Sequence, residues 1–292
     1  MGSTSSQRTA TNPTMGRRSF VRLALGAGGA LALGITGCEG RRGKRADKTD
    51  PHTVRIGASP SPHAIILQHT ASKLEQAGYS LEIVEYQDYF KPNDDLVAGR
   101  LDANYFQHKP YMDDYNTSYD ADLTSAGSVH FEPMCVFGTE GTTLDNLPEH
   151  ATVTVPNDLT NCARALQLLA SCGLVTIAEG VGLTARISDI TANPRDLQIA
   201  TAEAALVPEK LGDSALIVVN GNYAISSQLQ VANALAREAS DSDAAATYAN
   251  IVATRSGEDG TAKTRALMDA LTSDDMRSFM EQTFQGTVVP SF

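Results

Sequence analysis

Val54-Arg55-Ile56-Gly57-Ala58 is followed by Ser59-Pro60-Ser61-Pro62, a helix-periodic run to Ala77, and then Leu81-Glu82-Ile83-Val84-Glu85-Tyr86. The two apolar segments are short and rich in β-branched residues, which predicts strands. Between them, Ser61 as N-cap, Pro62 at the first helical position and Gly78 past the end predict a helix over 62–77. Strand, helix, strand in this order is a βαβ unit, and it implies a parallel sheet covered by helices.

The pattern continues outward. Further strands are expected at 101–106, 129–137, 152–155, 197–200, 215–219 and 249–254. Helices are expected just after Pro110, from near Asn161 to Gly173, and over 261–271 and 274–284. No fixed repeat is visible, so a solenoid is excluded. Crossings near 132–139 and 238–249 would divide the chain into two α/β lobes, 53–133 with 247–292 and 134–246. Two lobes joined twice make a cleft that closes over a ligand.

Upstream of 53 the sequence is not domain-like. Arg17 and Arg18 precede an apolar, Gly/Ala-rich run from Leu23 to Thr36, too short to span the roughly 30 Å hydrocarbon core of a bilayer. Ile35-Thr36-Gly37-Cys38 reads as a lipobox, with residues 1–37 a signal peptide, Cys38 acylated and 38–52 a tether. The mature chain is expected to be a lipoprotein, with palmitate among its acyl chains. Gly16-Arg17-Arg18-Ser19-Phe20-Val21-Arg22 is similar to a twin-arginine export signal. The expected location is the extracytoplasmic face of the cell membrane.

Removing the four arginines of residues 1–37 takes the formal net charge from −11 to −15. Such an acidic protein repels phosphate backbones, which argues against nucleic-acid binding. Cys162 and Cys172 fall on one helix ten residues apart, roughly 15 Å at about 1.5 Å per residue, so they cannot pair.

Ligands of open α/β sheets sit beyond the carboxyl ends of strands, and three clusters lie there. In Tyr105-Phe106-Gln107-His108-Lys109-Pro110-Tyr111, extended backbone puts Phe106 and His108 on one side, where ring and imidazole could enclose a thioether. The alternative is a core Phe106 and a solvated His108. In Asn157-Asp158-Leu159-Thr160-Asn161-Cys162-Ala163-Arg164, with Thr160 as N-cap, Arg164 lies where the helix dipole disfavours a cation. That calls for an anion, either a ligand carboxylate or Asp158. In Asn220-Gly221-Asn222-Tyr223, Asn220 offers a donor and an acceptor, unless Asn-Gly is only a turn.

The stretches Asp102 to Tyr111, Val155 to Asp158, Ala163 to Leu166 and Val219 to Ala224 resemble the NlpA-type methionine-binding lipoproteins. So do Pro62-His63-Ala64, Glu132-Pro133-Met134 and Val288-Val289-Pro290, and all run in family order from about 54 to 290. The resemblance implies a two-lobed periplasmic-binding-protein fold with a ligand cleft between the lobes, and a methionine-class ligand. It also implies an ABC permease and ATPase as partners, with no cofactor, no metal and no enzymatic activity. It assigns Arg164 to the ligand carboxylate, Asn220 to the amino-acid backbone and Phe106, His108 and Tyr89 to the side-chain pocket. Asn161 is counted with this ligand-binding set, and a monomer is expected. Cys162 departs from the family's usual Glu, and Ile65 stands where an acid is frequent.

Two other readings compete. Cys162 could be a nucleophile with His108 as base, though no protease signature surrounds it. His63, His108 and His130 with nearby acids could bind a metal, though they lack the spacing of known zinc motifs. Gly180-Val181-Gly182-Leu183-Thr184-Ala185 formally matches a dinucleotide fingerprint but follows a Glu-Gly turn, and is read as a loop.

Overall fold

A computed structural model describes residues 50–292. The signal peptide, the lipobox with Cys38 and most of the tether lie outside the described residues.

In chain order the first segment runs β1 (Thr53–Ala58), α1 (Ile65–Gln76), β2 (Ser80–Glu85), α2 (Lys91–Val97), β3 (Ala103–His108), α3 (Lys109–Tyr119) and β4 (Leu123–Phe131). The chain then leaves through Glu132-Pro133-Met134 into β5 (Cys135–Gly138), β6 (Thr152–Pro156) and α4 (Leu159–Ser171). A small hairpin follows, β7 (Thr176–Ile177) and β8 (Ile190–Ala192), then β9 (Gln198–Ala202), β10 (Leu216–Val219), α5 (Gly221–Ser226) and β11 (Ala236–Arg237). It returns by α6 (Asp243–Thr247) to β12 (Asn250–Arg255), α7 (Ala262–Leu271), α8 (Asp274–Phe284) and β13 (Val289–Pro290).

Two sheets result, ordered β13-β4-β12-β3-β1-β2 and β11-β5-β10-β6-β9. β1 pairs in parallel with β2 and β3, as the βαβ reading requires. Neither sheet is wholly parallel, because β12 enters antiparallel between β3 and β4, and β5 runs antiparallel to β10. The reason is topological: a chain coming back from the second sheet meets the first from the opposite direction.

Each sheet is covered on both faces. On one face of the first, Ile56, Ile66, Leu67 and Leu74 pack with Leu267, Leu271, Met276 and Met280 of α7 and α8. On the other, Leu96, Leu101, Met112 and Ile251 form a separate cluster. In the second sheet Val153, Val155, Leu216 and Val218 meet Leu166 and Leu169 of α4. Each fully buried aliphatic side chain of this kind contributes roughly 1.5–3 kcal/mol.

Several local expectations are corrected. The run 129–137 is two strands, since Pro133 lacks the N–H a ladder needs and the chain changes sheets there. Ser61 is extended but its side chain caps nothing, and an irregular turn over Pro60–Ala64 precedes α1. The N-cap of α4 is Asp158 rather than Thr160. Asn220-Gly221 is no hairpin turn: Asn220 stands at the start of α5.

Candidate functional site

A buried pocket is lined by Tyr89, Phe106, His108, Asn161, Arg164 and Asn220, together with Gln107, Tyr111, Glu132, Gly221, Asn222 and Asn250. All six residues proposed from sequence therefore face one space. They arrive from different places: Phe106 and His108 at the end of β3, Asn161 and Arg164 in the first turns of α4, Asn220 after β10, and Tyr89 after β2.

Hydrogen bonds determine which atom points where. The Asp158 carboxylate accepts from the Asn161 main-chain N–H at 2.9 Å and from its Nδ2 at 3.0 and 3.1 Å. The amide nitrogen of Asn161 is thereby committed, so its Oδ1 is the atom facing the pocket. That oxygen accepts from Asn220 Nδ2 at 2.7 Å and from His108 Nε2 at 3.2 Å. His108 must then carry its proton on Nε2, and its Nδ1 accepts from the Tyr111 N–H at 3.2 Å, capping α3. Among the described residues Asn220 Oδ1 is buried without a partner. Burial, followed by the Arg164 charge, pushes His108 down to about 3, so the imidazole is neutral.

The apolar wall is aromatic. Tyr89 lies 5.7 Å from Phe106, 5.8 Å from Tyr111 and 4.9 Å from Tyr223, centroid to centroid, and its hydroxyl donates to Asn222 Oδ1 at 2.5 Å. These rings form one cluster with Cys135, Ile217 and Val219, so the two sheets share a core under the pocket. Phe106 is both core and pocket wall, while His108 is 5% exposed and not a solvated residue.

Arg164 is not paired with Asp158. Its Nε donates to Glu238 Oε1 at 2.8 Å, and its Nη2 donates to Glu238 Oε2 at 2.5 Å and to the Glu132 carbonyl at 2.9 Å. The guanidinium also lies 4.4 Å from the Tyr248 ring centroid. Burial disfavours the charge, but Glu238 overrides it and raises Arg164 above the usual arginine range. Among the described residues Nη1 makes no hydrogen bond, which leaves one edge of the guanidinium for an anion. Glu238 also accepts from the Met134 N–H at 2.8 Å, and its own N–H donates to the Met134 carbonyl at 3.1 Å. One acid thus ties Arg164 to both crossings.

Glu132 lies on the first crossing and was marked in the sequence only by the motif Glu132-Pro133-Met134. His130 Nε2 is 2.6 Å from its Oε1 and His63 Nε2 is 3.4 Å away. His63 bonds Asn250 Oδ1 at 3.0 Å, and His130 Nδ1 bonds the Tyr105 hydroxyl. Burial pushes Glu132 up to about 7, His63 down to about 4 and His130 down to about 3. One atom of each of the three lies within 4.8 Å of the others, a spacing at which a cation could be held. Here both histidine Nε2 atoms face the same Glu132 oxygen, His130 at hydrogen-bond distance. His108, the third histidine of the metal reading, belongs instead to the Asn161 chain of hydrogen bonds.

The nucleophile reading lacks its physical basis. Cys162 is buried, and burial followed by the nearby Asp158 pushes its thiol up to about 11, where it stays protonated. Cys135, Cys162 and Cys172 are all free thiols.

Two α/β lobes joined by two crossings, with a buried pocket between them that mixes fixed polar atoms and aromatic rings, define a substrate-binding protein of the two-lobed periplasmic kind. Residues 54–292 match the model of the NlpA lipoprotein family, and the chain belongs to that family. It is 33% identical over 273 residues to the methionine-binding lipoprotein MetQ of Bacillus subtilis, covering 90% of this chain and 97% of that one. It is 31% identical to the membrane lipoprotein TpN32 of Treponema pallidum, covering 88% and 92%. Among solved structures, a nutrient-binding protein from Burkholderia cenocepacia bound to methionine superimposes with a TM-score of 0.78 at 33% identity, covering 82% of this chain and all of that one.

Proposed function

We propose that this protein binds methionine or a close analogue and hands it to an ABC importer made of a permease and an ATPase. The observation that carries the reading is the polarity of the buried pocket. Arg164 presents a free guanidinium edge, Asn220 presents an unpartnered oxygen, and Phe106, Tyr89 and Tyr111 present rings. A zwitterionic amino acid with a soft, apolar side chain complements all three. The methionine named for the Bacillus relative and the Burkholderia structure supports the same ligand. In this reading Arg164 holds the carboxylate, Asn220 with Asn161 orients the backbone, Phe106, His108 and Tyr89 surround the side chain, and no reaction is catalysed.

The lobes of this reading are 53–133 with 247–292 and 134–246, closing about 132–134 and 238. The protein acts as a monomer, held to the extracytoplasmic face by acylated Cys38. Among the described residues no helix is long and apolar enough to cross a membrane. Cys38→Ala should release the protein from membranes and remove the acyl mass; retention of both would overturn the anchor.

Calorimetry with methionine and with methionine amide tests the site. Methionine should bind, and the amide, lacking the carboxylate, should bind at least tenfold more weakly, since a charge-assisted contact contributes roughly 1.5–3 kcal/mol. Equal affinities would remove the carboxylate role of Arg164.

A further inference from the structure

We infer that Asn93, Asn104 and Gln107 form a buried amide lock that fixes the spacing of two ring walls, Phe106 and Tyr89, and through it the length of side chain the pocket accepts. The inference rests on the amino-acid reading above and adds to it three positioning residues. Two of them, Asn93 and Asn104, lie outside the pocket wall. All three are withdrawn from water, at 0%, 0% and 3% exposure.

The lock begins with an irregularity in β3. Val252 and Ile251, consecutive in β12, face Tyr105 and Gln107, so Phe106 is an extra residue with no counterpart in β12. Such a bulge interrupts the alternation of side chains and re-aims them. Asn104 and Gln107, three positions apart, would point to opposite faces of a regular strand. Here they meet, with Gln107 Nε2 donating to Asn104 Oδ1 at 2.9 Å. The inserted residue is the one whose ring lines the pocket.

Asn93, in the first turn of α2, closes the network. Its Nδ2 donates to Gln107 Oε1 at 2.9 Å, and its Oδ1 accepts from Gln107 Nε2 and Asn104 Nδ2, both at 2.7 Å. Asn104 Nδ2 also donates to the Pro92 carbonyl at 3.2 Å. Every one of the three amides is thus held through both its oxygen and its nitrogen, and flipping any of them would set donor against donor. In a desolvated interior a network satisfied in this way rigidifies and admits one arrangement. Apolar side chains could fill the same space without demanding a direction, so direction is what the amides supply.

That direction reaches both rings. Gln107 follows Phe106 in the chain, while Pro92 and Asn93 follow Tyr89 closely at the start of α2. The network therefore ties the loop carrying Tyr89 to the bulge carrying Phe106, whose ring centroids are 5.7 Å apart. Tyr111 braces the same corner, since its hydroxyl donates to the Tyr89 carbonyl at 3.2 Å and its ring lies 6.0 Å from that of Phe106. Walls held like this cannot retreat from a longer side chain, and one methylene too many in a fixed apolar pocket weakens binding about tenfold or more.

Calorimetry with methionine, with ethionine, which is one methylene longer, and with methionine amide tests the inference on wild type, Asn93→Leu and Asn104→Leu. Wild type should bind ethionine at least about tenfold more weakly than methionine. In both variants that ratio should shrink toward equality, further in Asn93→Leu. The ratio of methionine to its amide, which reads the Arg164 clamp, should stay as in wild type. Asn104→Leu leaves Asn93 and Gln107 bonded to each other, so it decides the matter if Asn93→Leu fails to fold. A network that only supports the fold would lower the thermal midpoint and weaken all ligands together, and an unchanged methionine-to-ethionine ratio in the folded variants would overturn the inference. Equal binding of methionine and ethionine by wild type would overturn it without any variant, and would leave the amino-acid reading standing. If wild type binds neither compound, the amino-acid reading falls and this inference falls with it.

Discussion

Arg164 carries two loads at once, and this limits what its removal can show. It presents an edge to the pocket, and it also neutralises Glu238, whose side chain is 8% exposed. Deleting one member of a buried pair strands the other charge, a cost of about 3–5 kcal/mol. Arg164→Ala should therefore lower unfolding stability by roughly that amount in denaturant titrations, besides weakening ligand binding. The double variant Arg164→Ala, Glu238→Ala should recover part of the stability without recovering binding. Equal stability of the single variant and wild type would mean the pair is not held as described. Local sequence supplied a cation at a helix start that lacked an anion. It could not supply Glu238, which lies 74 residues away in the chain and meets Arg164 only because the second crossing passes over α4.

At the level of elements, Gly221 shows how closely α5 sits on the first crossing. A Cβ there would lie 2.6 Å from Glu132 Cβ and 3.2 Å from the Pro133 carbonyl, against backbone that cannot swing away. Gly221→Ala should lower the thermal midpoint, at the typical overpacking cost of about 1–3 kcal/mol, and weaken ligand binding by moving Asn220 and Glu132 apart. An unchanged midpoint and affinity would show that the crossing yields freely. The first βαβ unit and the last two helices were legible because periodicity and capping are local. Thr261 and Ser273 accept from the N–H groups of Thr264 and Met276, as their positions before apolar runs suggest. The break at Pro133 was less legible, because 129–137 is apolar on both sides of it and only the change of sheet separates the halves.

For the whole molecule, acid should be the main threat. His63, His108 and His130 are held neutral, with folded values of about 4, 3 and 3 against an ordinary 6.5. The unfolded chain therefore binds more protons at these sites, and their stability is present above about pH 6.5 and is lost as pH falls toward 4 and 3. Glu132 works the other way, because its folded value of about 7 lies above the ordinary 4.5. It favours the folded state at low pH and loses that contribution as pH rises through 7. Three histidines outweigh one acid, so between about pH 6 and 4.5 stability should drop by on the order of 2–3 kcal/mol per pH unit. Thermal unfolding across that range would check it, and a flat midpoint would contradict the burial of these groups.

The sequence by itself determined the α/β class, the first parallel unit, the family, and six residues that the fold brings to one pocket. These follow from periodicity, caps and ordered motifs, all written in short stretches of chain. Tertiary structure alone decided that the sheets are mixed, that Asp158 orients Asn161 and leaves Arg164 to Glu238, and that Glu132 sits between two neutral histidines. Each of these depends on which distant segments share a desolvated space. There the loss of water makes one partner obligatory, and no local pattern records which partner the fold will supply.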